Sequence, residues 1–102
     1  MKDVKSLCEY IFDYIKMVSV KTTELYRKDI VAHFLKIYGQ ESSTVRTSTD
    51  HVLKCLCDSR YIKRMNNQRT INSHILKGYY HFLKIIPADL KWKKLLYETH
   101  RK

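Results

Sequence analysis

Apolar residues recur at spacings of three and four through the first third of the chain, the period of an amphipathic helix rather than a strand. Val4, Leu7, Cys8, Ile11, Ile15 and Val18 form one such stripe, and Asp3 stands where its side chain can cap the helix start. Tyr26, Ile30, Phe34 and Tyr38 are four apart and predict a second helix over residues 24–38, with Thr22 or Thr23 as its cap. Gly39 follows at the place where a left-handed C-terminal residue is wanted. After a polar stretch over residues 40–46, Val52, Leu53 and Leu56 predict the inward side of a third helix. Ser43 and Thr47 are alternative caps for it, and Thr47 with Asp50 three residues on resembles a capping box with the shorter acid. Thr47, Asp50, His51, Lys54 and Asp58 then share the opposite, outward side.

Beyond residue 60 the pattern changes. Residues 61–65 and 79–85 are rich in aromatic and β-branched side chains and predict strands, with Asn66, Asn67 and Gln68 as the turn between them. Ile75, Leu76, Tyr79, Leu83 and Ile86 also fit a helical stripe, with Gly78 inside it at a cost of about 1 kcal/mol. That alternative predicts a helical bundle with no hairpin. Pro87 predicts the start of a last helix, where its missing donor costs little. Trp92, Leu95, Leu96 and Thr99 form one side of that helix, and Lys91, Lys93, Lys94, Arg101 and Lys102 make the rest basic.

A chain of 102 residues with two Gly and one Pro is one domain in which regular structure dominates. Its 20 Lys and Arg against 10 Asp and Glu leave a formal charge of +10. That excess on a small surface opposes compactness by self-repulsion, and a polyanionic partner relieves it. The charge is expected at the start and outer side of the third helix, on the hairpin and on the last helix. No apolar stretch approaches the ~20 residues of a membrane span. Asp3, Glu9 and Asp13 interrupt the N-terminal apolar residues, unlike a signal peptide, so the expectation is an intracellular protein with no membrane partner.

Cys8, Cys55 and Cys57 make an odd count without a disulfide framework. His51 and Cys55 are four apart, half of a metal site at most, and no second pair follows, so neither metal nor cofactor is expected. Phosphate-cradling glycine loops, a nucleophile elbow and paired histidines are missing from the sequence, and its carboxylates are scattered. A non-enzymatic protein is therefore expected, although 8 tyrosines leave a nucleophilic tyrosine open.

The run Leu53-x-x-Leu56-x-x-x-x-Tyr61-Ile62-Lys63-Arg64 resembles the join between the recognition helix and the first wing strand of winged helix-turn-helix domains. By order of elements the resemblance spans residues 7–86. Where that family commonly has Gly before the strand, this chain has Arg60. The resemblance implies a mainly α fold with a small β-hairpin: a winged-helix core over residues 3–86 and an added basic helix over 87–102. It further implies a regulator of transcription that binds duplex DNA with the third helix in the major groove. Arg46, Thr47, Ser48, His51 and Lys54 would then face the groove, and Lys63, Arg64 and Arg69 would grip the adjacent backbone from the wing. The apolar side of the last helix reads first as a packing stripe with a solvated basic face, and a homodimer through Trp92 and Leu96 is the alternative. Two alternatives stay open. Tyr79 and Tyr80 stacking on single-stranded DNA or RNA is one, and a small helical protein that packages nucleic acid in a virion is the other. A composition rich in Lys, Tyr and Ile and poor in Ala and Gly resembles that of small DNA-binding proteins of archaeal viruses.

Overall fold

Ser6, rather than Asp3, opens the first helix of the computed structural model, which describes residues 6–39, 42–65, 69–71, 74–76 and 79–99. Ser6 Oγ accepts from the Glu9 N–H at 3.2 Å, and Glu9 Oε1 accepts from the Ser6 N–H at 2.9 Å. This reciprocal cap satisfies two donors that a helix start leaves without partners. Helix α1 (Leu7–Lys21) buries Ile11, Phe12, Ile15 and Ser19, and it covers Leu7, Cys8 and Val18 only in part. Asp3 and Val4 lie outside the described residues.

The predicted second helix loses its first turn to a strand. Glu24–Tyr26 form β1, and α2 spans Arg27–Tyr38. The cause is tertiary pairing. β1 runs antiparallel to β5 (Tyr79–Phe82), with Glu24 opposite His81, Leu25 opposite Tyr80 and Tyr26 opposite Tyr79. Leu25 alternates into the core while Tyr26 stacks on Tyr79, ring centroids 5.4 Å apart, on the other face. Helix α2 buries Ile30, Val31, Phe34 and Leu35 and ends at Gly39, whose N–H donates to Leu35 O at 2.8 Å. Gly39 has φ +104° and ψ 147°, outside the left-handed helical well but still where only glycine goes cheaply.

Helix α3 (Ser43–Asp58) begins earlier than either predicted cap allows. Ser42 Oγ accepts from the Val45 N–H at 3.4 Å, which puts Ser43, Thr47 and Asp50 inside the helix. Val45, Thr49, Val52, Leu53, Cys55 and Leu56 are buried, and the Thr49 hydroxyl donates to Val45 O at 2.7 Å. A Schellman turn ends the helix. Tyr61 N–H donates to Leu56 O and Arg60 N–H to Cys57 O, both at 3.0 Å, with Arg60 at φ +63°. An L-residue in that well carries about 1–2 kcal/mol of Cβ strain. Glycine there removes the strain but gives back part of it in unfolded-chain entropy. Arg60→Gly should raise unfolding stability by about 0.5–1 kcal/mol in urea denaturation.

Residues 79–82 settle as strand, not helix, because β5 is paired along both edges. Its second neighbour is β2 (Ile62–Arg64), with Ile62 opposite Phe82, Lys63 opposite His81 and Arg64 opposite Tyr80, which gives the sheet order β1–β5–β2. Between β2 and β5 a second antiparallel pair forms, β3 (Arg69–Ile71) with β4 (His74–Leu76). The chain therefore reverses between Ile71 and His74, while the predicted turn at 66–68 lies outside the described residues.

Pro87 does not start the last helix. Its carbonyl accepts from the Leu90 N–H at 3.0 Å, and α4 spans only Trp92–Thr99. The preceding segment is tied across α1 instead. Lys16 Nζ donates to Ala88 O at 3.1 Å and Leu90 O at 2.9 Å, and Ile86 N–H donates to Ser19 Oγ at 3.3 Å. Trp92 is 7% exposed, with its ring 5.8 Å from that of Phe12, and Leu95 is fully buried. Trp92 and Leu95 thus pack into the chain's own core, as the packing reading expects, and Leu96 is half-buried against it. The described residues make a mainly α fold of four helices with a small three-stranded antiparallel sheet and one further strand pair. None of the described helices is long and apolar enough to cross a membrane.

Candidate nucleic-acid interface

The outward side of α3 follows from its inward one. With Val45, Val52, Leu53 and Leu56 in the core, Arg46, Thr47, Asp50, Lys54 and Asp58 are left exposed. Arg46 Nη1 reaches back to Ser42 O at 3.4 Å, and Lys54 Nζ lies 3.5 Å from Asp58 Oδ2 one turn on. Ser48 and His51 sit at the border of this side. Ser48 is half-buried, its carbonyl facing Cys8 Sγ at 4.0 Å, and the His51 ring meets the Trp92 ring edge-on at 5.5 Å. The His51 ring thus turns toward α4 rather than squarely outward.

Strand alternation separates the two cations of β2. Arg64 is opposite Tyr80 on the side of the sheet that meets α3, whereas Lys63 is opposite His81 on the outer side. On that outer side His81 Nε2 lies 3.4 Å from Glu24 Oε2. Lys54 and Arg64 consequently line one groove of about 460 Å³, together with Asp50, Leu53, Cys57 and Tyr80. Arg69 lies on β3, and its side chain is outside the described residues.

Two participants go beyond the sequence reading: Arg27 is not singled out there at all, and Tyr80 is singled out for a different role. Arg27, the first residue of α2, holds Asp50 with both arms of its guanidinium, Nε to Oδ1 at 2.6 Å and Nη2 to Oδ2 at 3.2 Å. Hydrogen bonding to Asp50 is the main cause that raises the Arg27 pKa above its ordinary value. A partner 23 residues away in the chain falls outside any local spacing rule. Tyr80 is the second. It is 6% exposed, and burial pushes its phenol up. Tyr79 is 3% exposed, so neither tyrosine offers a free face on which a single-stranded base could stack.

The positive charge follows the expectation for the hairpin region and the last helix but not for the third helix. Residues 1–58 hold nine basic side chains against eight acidic ones, and residues 59–102 hold eleven against two. The exposed side of α3 is itself balanced, Arg46 and Lys54 against Asp50 and Asp58. The cationic excess therefore belongs to the part of the chain that begins at the end of α3, and counting charge along the sequence would have found this.

Among the described residues no three His, Cys, Asp or Glu side chains gather in a way that could hold an ion. Cys8, Cys55 and Cys57 are free, and burial raises the pKa of each thiol above its ordinary value, which keeps it protonated at neutral pH. Comparisons with protein-family models, with curated proteins and with solved structures each find no match.

Proposed function

We propose that the chain is a winged-helix protein that binds double-stranded DNA, with α3 in the major groove and the strands after it on the adjacent backbone, and that it regulates transcription by occupying a DNA site. The observation that carries this reading is the groove shared by Lys54 of α3 and Arg64 of β2. It gives one continuous face a helix to insert and a cation beside it. A helix about 10–12 Å across fits a major groove about 12 Å wide, and the neighbouring strand then lies beside the phosphates that border the groove. Support also comes from the sheet order β1–β5–β2 and from the order α1–β1–α2–α3–β2 followed by β5, which resemble the winged-helix arrangement with the β3–β4 pair inserted between the two wing strands.

The concentration of cations after residue 58 agrees with a division of labour. The balanced surface of α3 suits reading base edges, with Lys54 at its border facing phosphate beside Arg64, and the basic remainder suits holding phosphate. The burial of Tyr79 and Tyr80 removes the stacking platform that the single-strand alternative placed on these two residues. Competition between a random-sequence duplex pool and single strands of the same pool tests the assignment. The duplex should win, and a preferred sequence should emerge on selection. A single-strand preference would overturn the reading, and equal affinity for every duplex would remove the regulatory part of it.

A further inference from the structure

The groove side of α3 contains a carboxylate where a surface meant for a polyanion would be expected to avoid one. We propose that Asp50 is a specificity-determining residue that accepts a hydrogen bond from the exocyclic amino group of a cytosine, with Arg27 as its positioning residue. This rests on the duplex-DNA reading above and names what one position of that interface recognises.

Asp50 is inside α3, so the capping role that the sequence suggested for it is gone. It lies one turn from Arg46 and Thr47 on one side and from Lys54 on the other, in the middle of the outward surface. Its side chain is 58% exposed although Arg27 holds it at two points. An exposed ion pair adds little to stability, so stapling α2 to α3 is a weak reason for this one. What the bidentate hold does supply is a fixed orientation. A carboxylate has about four lone-pair sites, and Arg27 uses two, which leaves acceptor capacity on a side chain with little freedom to turn.

The chemistry of the groove then selects the base. Guanine presents two acceptors in the major groove and thymine presents one, and all of them repel a carboxylate. Adenine offers its amino group beside the N7 acceptor. Cytosine offers an amino donor with no acceptor of its own beside it. Arg27 also offsets the negative charge of Asp50, which reduces its repulsion of passing phosphates.

Selection from random duplex by the wild-type protein should enrich a C·G pair at one position. Asp50→Ala should lose that preference by at least about fivefold and keep the others, because one good base contact is worth that much discrimination. Asp50→Asn should move the same position toward adenine, whose N6 and N7 match an amide. Arg27→Ala should weaken the cytosine preference without changing the base preferred. Releasing Arg27 from Asp50 in the Asp50→Ala protein frees a cation, so its salt dependence should steepen by about one phosphate contact. Thermal melting of each variant checks that the fold is kept. If Asp50→Ala selects the wild-type site with undiminished preference, or if the wild-type protein binds duplex with no cytosine preference, the role assigned to Asp50 is wrong and duplex binding stands. If the wild-type protein does not bind duplex at all, the parent reading falls and this inference with it.

Discussion

Replacing Trp92 by alanine should cost about 3–5 kcal/mol of unfolding free energy, the range for removing a large aromatic side chain from a packed core. Trp92 is 7% exposed, lies 5.8 Å from Phe12 and 5.5 Å from His51 ring to ring, and neighbours the fully buried Leu95. Helix α4 is 8 residues long, well short of the ~12–15 that hold together unaided in water, so tertiary packing supplies its stability. Losing Trp92 therefore removes more than one side chain's contacts. Urea denaturation followed by far-ultraviolet circular dichroism measures the cost, since the variant lacks the only tryptophan. The midpoint should fall independently of protein concentration. A loss that depended on concentration would instead place Trp92 in a contact between copies.

The second large effect concerns affinity. Alanine at both Lys54 and Arg64 should weaken duplex binding on the order of fiftyfold at about 0.1 M salt, because each phosphate contact contributes about 0.9 to the logarithmic salt slope. These two side chains share the groove between α3 and β2, so they meet the same stretch of backbone. Lys63, on the outer side of the sheet opposite His81, should matter less than Arg64. Lys63→Ala against Arg64→Ala, measured by fluorescence anisotropy on one labelled duplex, separates the two faces. Equal losses would mean that strand alternation does not govern which cation meets the ligand.

Much of the scaffold was legible in the chain because its core stripes are long and periodic. Ile11, Ile15, Ile30, Phe34, Val52, Leu53 and Leu56 are buried where the three-and-four spacing puts them. The failures are places where a distant partner outweighed the local pattern. Tyr26 fitted a helical stripe with Ile30, yet pairing with Tyr79 drew it into β1. Pro87 is a good first helical residue, yet the Lys16 ammonium donating to Ala88 O and Leu90 O and the Ser19 hydroxyl accepting from the Ile86 N–H hold the segment around it in a strap across α1. Arg60 shows the opposite case. A glycine signal was missing, and the chain adopts the left-handed turn at the cost of strain.

The candidate site was legible in outline and not in detail. The outward positions of Arg46, Thr47 and Lys54 follow from helical geometry once the core side is known, and the exposure of Lys63 and Arg64 follows from their place on an edge strand. Which of them meet could not follow, because it depends on how β2 is placed against α3. The Arg27–Asp50 pair and the inward turn of His51 onto Trp92 are likewise products of packing between elements far apart in sequence.

Titration of a duplex of about 20 base pairs with the protein across a range of salt concentrations tests the central claim most directly. The logarithm of the binding constant should fall linearly with the logarithm of salt, with a slope steeper than the roughly −2 that Lys54 and Arg64 supply because cations after residue 58 add to it, and the Lys54→Ala, Arg64→Ala double variant should return a slope shallower by about two contacts. Binding that is indifferent to salt, or a double variant that keeps the full slope, would contradict the assignment of this face to duplex DNA.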